Sequence, residues 1–598
     1  MRSKAVWIFA IVPAVVMVLI ALVPQISLWQ MRGEHWAGSY AASNYDEVAY
    51  SGYINGLING KPRKYDPMMG VSHEHESIFS LQFIPAYSIA IPAKLLGLNT
   101  SSAFILLQAL IAIFSALAIF VLLRSVTDDP MMSGAGALII LCLGTAVTFE
   151  GAFRDMWDGG LVIEYLPFLR RYQPGFAFPI FFLMCWAVWR AVTNNKRSFA
   201  LAAGLMFATL VFSYFYLWTA AAAWLACFFA VAFILRSEDR RAIIGYGIPI
   251  AAVAVVTIVP YLLMLNMRSR NSDEVQLLTE THAPDVFAPT VIVGLLAIAA
   301  AAIMGFIGRI DARSWAAILG YAFCLTPLAV LNQQVVTGRS LQPVHYEIFI
   351  ANYCVLAGVM IIAWLGVRGS RLPEMQPAGI GRWVIAGLAV FAAGWGIQEG
   401  IHASQRNAGM AIVRDGVFPV AEIIANEAAV SPELVTVQAP NPIAGSFIPT
   451  VAPVRVLWNP HLVAGGMIDE SENKQQFYRH LYYSGFAGPD LENALRIKWF
   501  EVTAAIFGGG RALPQLGGVN HPITDDEIVE ETAKYQAFID TMDDAVAYSP
   551  KLTYVVVAAA EEPNFANIDK WYTRDTGRVA GLFKVYTLTP KSADHLPE

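Results

Sequence analysis

Long apolar stretches dominate this chain and constrain its fold more than any other feature. Of its 598 residues, 56% are hydrophobic and only 14% are charged, and the mean hydropathy is +0.50. Soluble globular proteins carry about 25% charged residues. The deficit predicts a polytopic membrane protein, and the net charge of −6 gives no reason to expect a nucleic-acid partner.

The first apolar stretch follows Arg2 and Lys4 and covers residues 5–23, close to the roughly 20 residues that a helix needs to cross a bilayer. A signal peptide has a shorter apolar region and a small-residue cleavage site, so we expect an uncleaved anchor with its N-terminus in the cytoplasm. Further apolar stretches of similar character bring the predicted total to about eleven spans. They cover residues 103–123, 132–149, 176–193, 199–213, 216–235, 243–266, 287–307, 314–331, 348–366 and 383–398.

Residues 82–98 are also apolar but contain Pro85, Pro92 and Lys94. If they crossed the membrane, the short basic loops that follow would all lie outside, against the positive-inside rule. We therefore predict an interfacial or re-entrant helix here. The predicted outer segments are then the loops 25–81, 150–175, 267–286 and 332–347 and the tail after about residue 399.

The tail has a different composition, because charged and polar residues return. Residues 434–438, 454–458, 552–557 and 582–587 have the pattern of strands, and 523–539 that of an amphipathic helix capped by Thr524. We predict a mainly α fold: a membrane helical bundle (1–400) followed by an extracytoplasmic α/β domain (401–598). The five cysteines lie inside apolar stretches and are expected to be packing residues rather than disulfides or metal ligands.

Asp46 and Glu47 are adjacent acids in the first predicted outer loop. One carboxylate can face a substrate while the other holds a metal or a structural partner. Alternatively, both acids are solvated loop residues without a specific function. Because long ordered loops are usually functional, and this loop also contains several tyrosines that suit a membrane interface or a sugar ring, the location favours a functional role.

The same loop contains His73, His75 and Glu76 within four residues. Imidazoles and carboxylates ligate divalent metals, although the helical spacing of HExxH zinc enzymes is absent. The segment therefore predicts either a metal or substrate site or a polar surface hairpin. Whether the protein uses a divalent metal stays open.

Outer-side arginines break the positive-inside pattern and point to an anionic ligand. Arg170 and Arg171 immediately precede a predicted span, and arginine binds phosphate in a bidentate manner. Ion pairs with Asp155, Asp158 or Glu164 are the alternative. In the predicted outer loop 332–347, Arg339 and His345 form a second polar group between two spans, where such residues are costly unless paired or functional.

An N-terminal anchor, a long outer loop with Asp46 and Glu47, a proline-containing interfacial helix, many spans and an outer C-terminal domain together resemble the GT-C superfamily of membrane glycosyltransferases. This superfamily includes protein O-mannosyltransferases and aminoarabinose transferases. The resemblance covers residues 1–400. It implies a polyprenyl-phosphate-linked sugar donor, with Asp46 acting at the acceptor, Glu47 second to it, and Arg339 at the donor phosphate.

The sequence differs from the superfamily pattern at two motifs, and two other functions are also compatible with it. The His-Pro-Pro-Leu type of stretch that the superfamily often has after the first loop is absent, and Met156-Trp157-Asp158 only superficially resembles the WWDYG motif of oligosaccharyltransferases. The sequence leaves open whether the acceptor is a glycan, a lipid or a protein, and the short connections between spans indicate a bacterial inner membrane. A transporter or flippase and a non-catalytic envelope assembly protein are the alternative functions.

Overall fold

The computed structural model describes residues 2–42, 44–157, 165–269, 271–272, 277–369, 380–431, 433–513 and 521–591. By its internal contacts the chain forms two compact units. The helical unit comprises Met1–Ser27, Ile105–Met264 and Glu280–Asn407. The mixed unit comprises Leu28–Phe104, Leu265–Thr279 and Ala408–Glu598.

Helices make up most of the chain before its C-terminal part, as the apolar pattern predicts. The longer ones are Arg2–Arg32, Glu47–Ile58, Phe83–Leu95, Thr100–Thr127, Pro130–Cys142, Ala177–Asn194, Arg197–Val211, Phe215–Leu235, Arg240–Asn266, Pro289–Phe306, Trp315–Val330, Asn352–Arg368 and Ile380–Ala428. Shorter helical segments are Gly33–His35, Ile78–Leu81, Gly144–Thr148, Ala152–Trp157, Pro167–Leu169, Ser237–Asp239, Gln334–Thr337, Pro343–Tyr346 and Glu347–Ala351. Two short strands, Leu278–Glu280 and Arg339–Leu341, lie among them.

Eight helices in the described part of the chain are long and apolar enough to cross a membrane, which makes this an integral membrane protein. Each of these eight coincides with one of the eleven or so predicted spans. The other three predicted spans coincide with apolar helices of 13, 15 and 16 residues, fewer than the roughly 20 residues of a typical span, so their crossing of the membrane stays a prediction. These helices are Pro130–Cys142, Arg197–Val211 and Trp315–Val330. Residues 82–98, predicted not to span, form the 13-residue helix Phe83–Leu95.

Small residues let the helices of the helical unit approach closely. A β-carbon on Gly396 would lie 2.9 Å from Cys142 Sγ, and one on Gly358 would lie 2.5 Å from Cys324 Sγ. Such contacts are typical of helix packing in membranes, where shape rather than water exclusion drives association. All five cysteines are free, and four of them are buried, which confirms their predicted role as packing residues.

The mixed unit contains a six-stranded mixed sheet in its C-terminal part. Strand Thr436–Gln438 pairs in parallel with Arg455–Val456 on one side and with Tyr554–Ala558 on the other. Strand Phe583–Pro590 then pairs antiparallel with three neighbours, Tyr554–Ala558, Tyr572–Arg574 and Arg578–Ala580. Buried aromatic and aliphatic side chains form its core: Leu457, Tyr483, Tyr548, Val555, Val557, Tyr572 and Leu588. All four predicted strands are present, and their ends agree with the prediction to within three residues.

The helices around this sheet include the one that the sequence predicts. Thr524 caps Asp525–Asp540, and Glu527 completes a reciprocal capping box. The other helical segments of this part are Pro442–Phe447, Ile448–Thr450, Glu470–Tyr483, Gly488–Arg496, Phe500–Phe507, Gly509–Ala512, Asp544–Ala547 and Ala566–Trp571. The α/β character predicted for the tail is thereby confirmed.

The first loop belongs to the mixed unit and packs against its C-terminal part. Asn55 donates a hydrogen bond to the Pro449 carbonyl over 3.0 Å, and the backbone of Val456 donates to that of Met68 over 3.3 Å. The compact units therefore divide the chain differently from the predicted boundary at residue 400. The sidedness assigned to each segment stays a prediction.

Asp415 anchors the start of this loop. Its carboxylate is fully buried, and it accepts a hydrogen bond of 2.7 Å from Arg32 Nε. It also accepts from the backbone N–H of Ala37 at 3.0 Å and from the Ser39 hydroxyl at 2.9 Å. Asp415 belongs to the continuous helix Ile380–Ala428, so this one side chain fixes residues 32–39 to a rigid element.

We expect Asp415→Ala to lower the stability of the protein by about 3–5 kcal/mol, because it leaves a largely buried guanidinium and several backbone donors without their acceptor. The measurement is thermal unfolding of the full chain in detergent. Glu561→Ala, which removes an exposed carboxylate, is the matched control and should leave the midpoint unchanged. Equal midpoints for Asp415→Ala and the wild type would contradict the anchoring role.

Candidate functional site

The two adjacent acids of the first loop have opposite environments. Asp46 occupies the N-cap position of the helix Glu47–Ile58 but makes no side-chain capping hydrogen bond. Asn44 accepts from the Glu47 backbone N–H instead, over 3.2 Å. The Asp46 side chain is 56% exposed, whereas Glu47 is fully buried. Only Asp46 can therefore meet a ligand from solvent.

A buried histidine lies beside Asp46. His461 Nε2 is 3.8 Å from Asp46 Oδ1, and the His461 side chain is only 6% exposed. Its ring packs at a tilt of 36° against Tyr45, with 4.6 Å between centroids. Neither ring nitrogen of His461 has a hydrogen-bond partner among the described residues. Because a buried imidazole ordinarily has such a partner, His461 is a candidate functional group beside Asp46.

Tyr45 connects this pair to further charged groups of the mixed unit. Burial raises the pKa of the Tyr45 hydroxyl, the Glu501 charge raises it further, and the Arg414 guanidinium lowers it. Arg414 is 2% exposed and precedes the anchoring residue Asp415 in the same helix. The candidate site therefore combines one accessible carboxylate with a buried imidazole, phenol and guanidinium.

The His73–Glu76 segment is a surface hairpin with a structural acid. Tyr65 and Ser72 form an antiparallel bridge, and Glu76 accepts two hydrogen bonds of 2.6 Å from Arg63. Burial raises the pKa of Glu76, but hydrogen bonds from Arg63 and Ser80 outweigh it and hold this pKa below its usual value. Glu76 is thus committed to an ion pair, in contrast to the predicted ligand role.

No metal cluster is evident in the parts of the chain that the structure describes: no group of three or more His, Cys, Asp or Glu side chains could hold an ion there. His75 is exposed and His73 is half-buried, with no hydrogen-bond partner at His73 Nε2 within the same parts. Use of a divalent metal stays a prediction.

Asp155 of the helical unit is tied to the helix Ile380–Ala428. Its carboxylate lies 2.9 Å from His402 Nδ1 and 3.4 Å from Arg406 Nε, and it accepts a 3.0 Å hydrogen bond from the Tyr165 hydroxyl. Burial raises the pKa of Asp155, but His402 and Tyr165 together lower it below its usual value. These contacts favour a structural role for Asp155, while Asp158 lies outside the described residues.

Arg170 and Arg171 are buried, with exposures of 3% and 2%. Arg170 donates to the Gln173 carbonyl over 2.6 Å and lies 4.6 Å above the Phe349 ring. His345 stacks on the same ring at 5.1 Å. The predicted donor-binding residues Arg170 and His345 are thus brought together around Phe349, in the interior of the helical unit.

Arg339 differs from these two arginines because it is exposed. It begins the short strand Arg339–Leu341, and its backbone N–H donates to the Thr337 hydroxyl over 3.3 Å. Among the predicted phosphate-binding arginines, Arg339 alone presents its guanidinium to solvent.

Sequence reasoning missed His461 and Arg414. His461 is a lone histidine in the tail, and Arg414 lies within a stretch that the sequence analysis treated as tail after the last span. Neither has a motif around it. Only their residue types could have pointed to them. A histidine and an arginine in the predicted outer part of the chain are possible partners for the acids of the first loop.

No protein-family profile and no curated protein matches this chain. Among solved structures, it is similar to the apo oligosaccharyltransferase of Archaeoglobus fulgidus, with 13% identity and a TM-score of 0.48 over 98% of this chain and 75% of that one. It is also similar to ArnT from Cupriavidus metallidurans bound to undecaprenyl phosphate, with 13% identity and a TM-score of 0.47 over 97% and 99% of the two chains.

A further similar structure is the Archaeoglobus fulgidus oligosaccharyltransferase AglB in complex with an inhibitory peptide and a dolichol-phosphate. It shares 14% identity and a TM-score of 0.45 over 97% of this chain and 74% of that one. At this distance, the assignment of a site depends on the residues of this chain.

We expect Glu76→Gln to destabilise the protein by about 1–3 kcal/mol at neutral pH, because Arg63 loses its charged acceptor. Since the folded-state pKa of Glu76 is depressed, its contribution is complete above the unfolded pKa of about 4.3 and is lost as the pH falls through the folded value. Unfolding midpoints of the wild type and the variant should therefore converge on acidification. Glu74→Gln, at an exposed acid of the same hairpin, is the control, and a pH-independent difference would contradict the ion-pair account.

Proposed function

We propose that this protein is an integral membrane glycosyltransferase that moves a sugar from a polyprenyl-phosphate-linked donor to an acceptor hydroxyl on the extracytoplasmic face. The observation that best supports this proposal is the accessible Asp46 carboxylate beside the buried His461 imidazole. The proposed location is a bacterial inner membrane, with the N-terminus in the cytoplasm and the C-terminal part outside.

Asp46 is proposed as the general base. The acceptor oxygen attacks the anomeric carbon of the donor sugar, and its proton passes to the Asp46 carboxylate. The bond between the anomeric carbon and the phosphate oxygen breaks, and its electron pair leaves with the polyprenyl phosphate. A positioned base contributes about 10²–10⁴ to such a rate, and the leaving phosphate needs charge stabilisation rather than a proton.

Exposure decides which member of the pair meets the substrate. Asp46 is 56% exposed and His461 only 6%, so an acceptor reaches the carboxylate and not the imidazole. His461 is then proposed as a positioning residue, because a hydrogen bond from its ring to the carboxylate would orient that carboxylate. The separation of 3.8 Å is longer than a hydrogen bond, and catalytic contacts often tighten when substrate binds.

Arg339 is the proposed contact for the donor phosphate. Its guanidinium is exposed and carries the planar set of donors that matches a phosphate. Arg170 and Arg171 are buried, and Arg170 has carbonyl and aromatic partners of its own. We therefore assign these two arginines to the framework that supports the surrounding loops.

We expect Asp46→Asn to reduce sugar transfer by about 10²–10⁴ with the fold intact, because the amide cannot accept the acceptor proton. The assay supplies the full chain in liposomes with a panel of polyprenyl-phosphate-linked sugars and measures release of polyprenyl phosphate and appearance of glycosylated acceptor. Glu74→Gln is the control. Transfer at the wild-type rate by Asp46→Asn would exclude this base, and lipid translocation without any transfer by the wild type would favour a flippase.

His461→Ala should lower kcat by about tenfold with little change in KM, because the Asp46 carboxylate loses the group that orients it. His461→Gln, which keeps a donor, should restore part of the rate. The exposed His521→Ala is the control, and a loss of kcat that His461→Gln does not restore at all would reduce His461 to a packing role.

A further inference from the structure

A polar cleft lies at the other end of the helix that Asp46 begins. Its volume is about 400 Å³, within the range of small-molecule sites. Asn55 and Asn59, which follow one another by one turn at the C-terminal end of Glu47–Ile58, line it. Nine residues separate Asp46 from Asn55, which is roughly 14 Å along a helix axis. The cleft is therefore distinct from the proposed catalytic site.

The cleft lies where a candidate membrane span begins. Thr100 and Ser101 line it and form the first turn of Thr100–Thr127, a helix long and apolar enough to cross a membrane. Ile91, Leu95 and Leu96 precede this turn and are 53%, 81% and 69% exposed. A polar cleft bordered by exposed leucine and isoleucine side chains is the surface expected at the boundary between headgroups and acyl chains.

Two opposite charges line the cleft, and neither forms an ion pair with another described residue. Lys94 and Glu422 both belong to its wall, and both side chains are exposed. Neither has an ion-pair partner within the described ranges, although many other charged side chains there are paired, such as Arg63 with Glu76. The Lys94 ammonium lies near Gly60, where a β-carbon would come within 3.7 Å of Nζ. The wall thus offers one cation and one anion to a ligand.

Amide and backbone donors complete the wall. Asn99 caps the span helix by accepting from the Ser102 N–H over 2.8 Å, which leaves the N–H groups of Thr100 and Ser101 outside the intrahelical ladder. These groups and the helix dipole favour an anion beside Lys94. Asn426 lies one turn beyond Glu422 on the helix Ile380–Ala428 and adds a neutral donor and acceptor.

We propose that this cleft binds the headgroup of a zwitterionic phospholipid that carries a primary ammonium, of the phosphatidylethanolamine class. The phosphate meets Lys94 and the first turn of Thr100–Thr127, the ammonium meets Glu422, and the acyl chains lie along Ile91 and Leu95. A headgroup with one charge of each sign matches the wall, whereas an anionic headgroup leaves Glu422 opposed by a like charge. The inference goes beyond the proposed transferase activity and does not depend on it.

A free carbohydrate fits the cleft less well. Sugar faces pack on aromatic rings, and Phe418 is the single aromatic residue in the wall as described. A neutral sugar would also leave Lys94 and Glu422 without counter-charges. Charge complementarity together with the adjoining apolar surface therefore favours the lipid.

The test is native mass spectrometry of the full chain in detergent, titrated with phosphatidylethanolamine, phosphatidylcholine and phosphatidylglycerol of identical acyl chains. We expect phosphatidylethanolamine to bind most tightly. Lys94→Gln should weaken its binding about tenfold. Glu422→Gln should remove the preference over phosphatidylglycerol, because the acid that repels an anionic headgroup is gone. Transfer activity is not part of the readout, so this proposal and the transferase proposal can fail independently.

Lys534→Gln and Glu530→Gln change exposed charges on the helix Asp525–Asp540 and should leave lipid binding unchanged. Asn426→Leu, which fills the cleft without altering charge, should also weaken phosphatidylethanolamine binding. This variant still tests the proposal if a charge variant fails to fold. Equal binding of the three lipids, or equal effects of cleft and control variants, would overturn the proposal. Competition by methyl glucoside but not by glycerophosphoethanolamine would assign the cleft to carbohydrate instead.

Discussion

The buried carboxylate of Asp415 is the interaction on which the geometry of the first loop depends. It collects Arg32, Ala37 and Ser39 onto one helix, and the chain reaches Asp46 only a few residues later. A buried carboxylate is costly unless its lone pairs are satisfied, and here donors surround it. The same helix places Arg414 near Tyr45, so one rigid element supports both the entry to the loop and the surroundings of the candidate base.

The environments of the acids explain why Asp46 is the candidate among several. Glu76 is paired with Arg63, Asp155 with His402 and Arg406, and Glu47 is buried. Paired acids with depressed pKa values stabilise structure and are poor bases at neutral pH. Asp46 is accessible and has as its close neighbour an imidazole that is itself buried, which is the arrangement that a proton acceptor at a surface requires.

The helix Glu47–Ile58 connects the two sites proposed for the mixed unit. Asp46 lies at its N-terminus, and Asn55 and Asn59 line the lipid cleft at its other end. Tyr53 and Asn55 are buried along the helix, so its position is determined by packing over its whole length. A lipid held at one end would restrain the same element that presents the carboxylate at the other.

Much of this architecture follows from local sequence patterns. Apolar stretches identified the helices, alternating residues identified the four strands of the tail, and Thr524 with Glu527 marked the start of a capped helix, because hydrophobic periodicity and capping are properties of neighbouring residues. The same locality left the helix ends uncertain, since composition alone did not reveal that one helix ends at Cys142. It also drew attention to Asp46 as an acid in a long loop.

The sequence by itself therefore determined the membrane character, the α/β tail and the candidate acid. Only the tertiary structure decided which polar residues are available for chemistry. It brought His461 from the tail to Asp46 in the first loop, placed Glu76 and Asp155 in ion pairs, and buried Arg170 and Arg171. It also placed Lys94 and Glu422 in one cleft without an ion pair to any described residue. The physical reason is that burial and ion pairing depend on residues far apart in the chain, which no local pattern encodes.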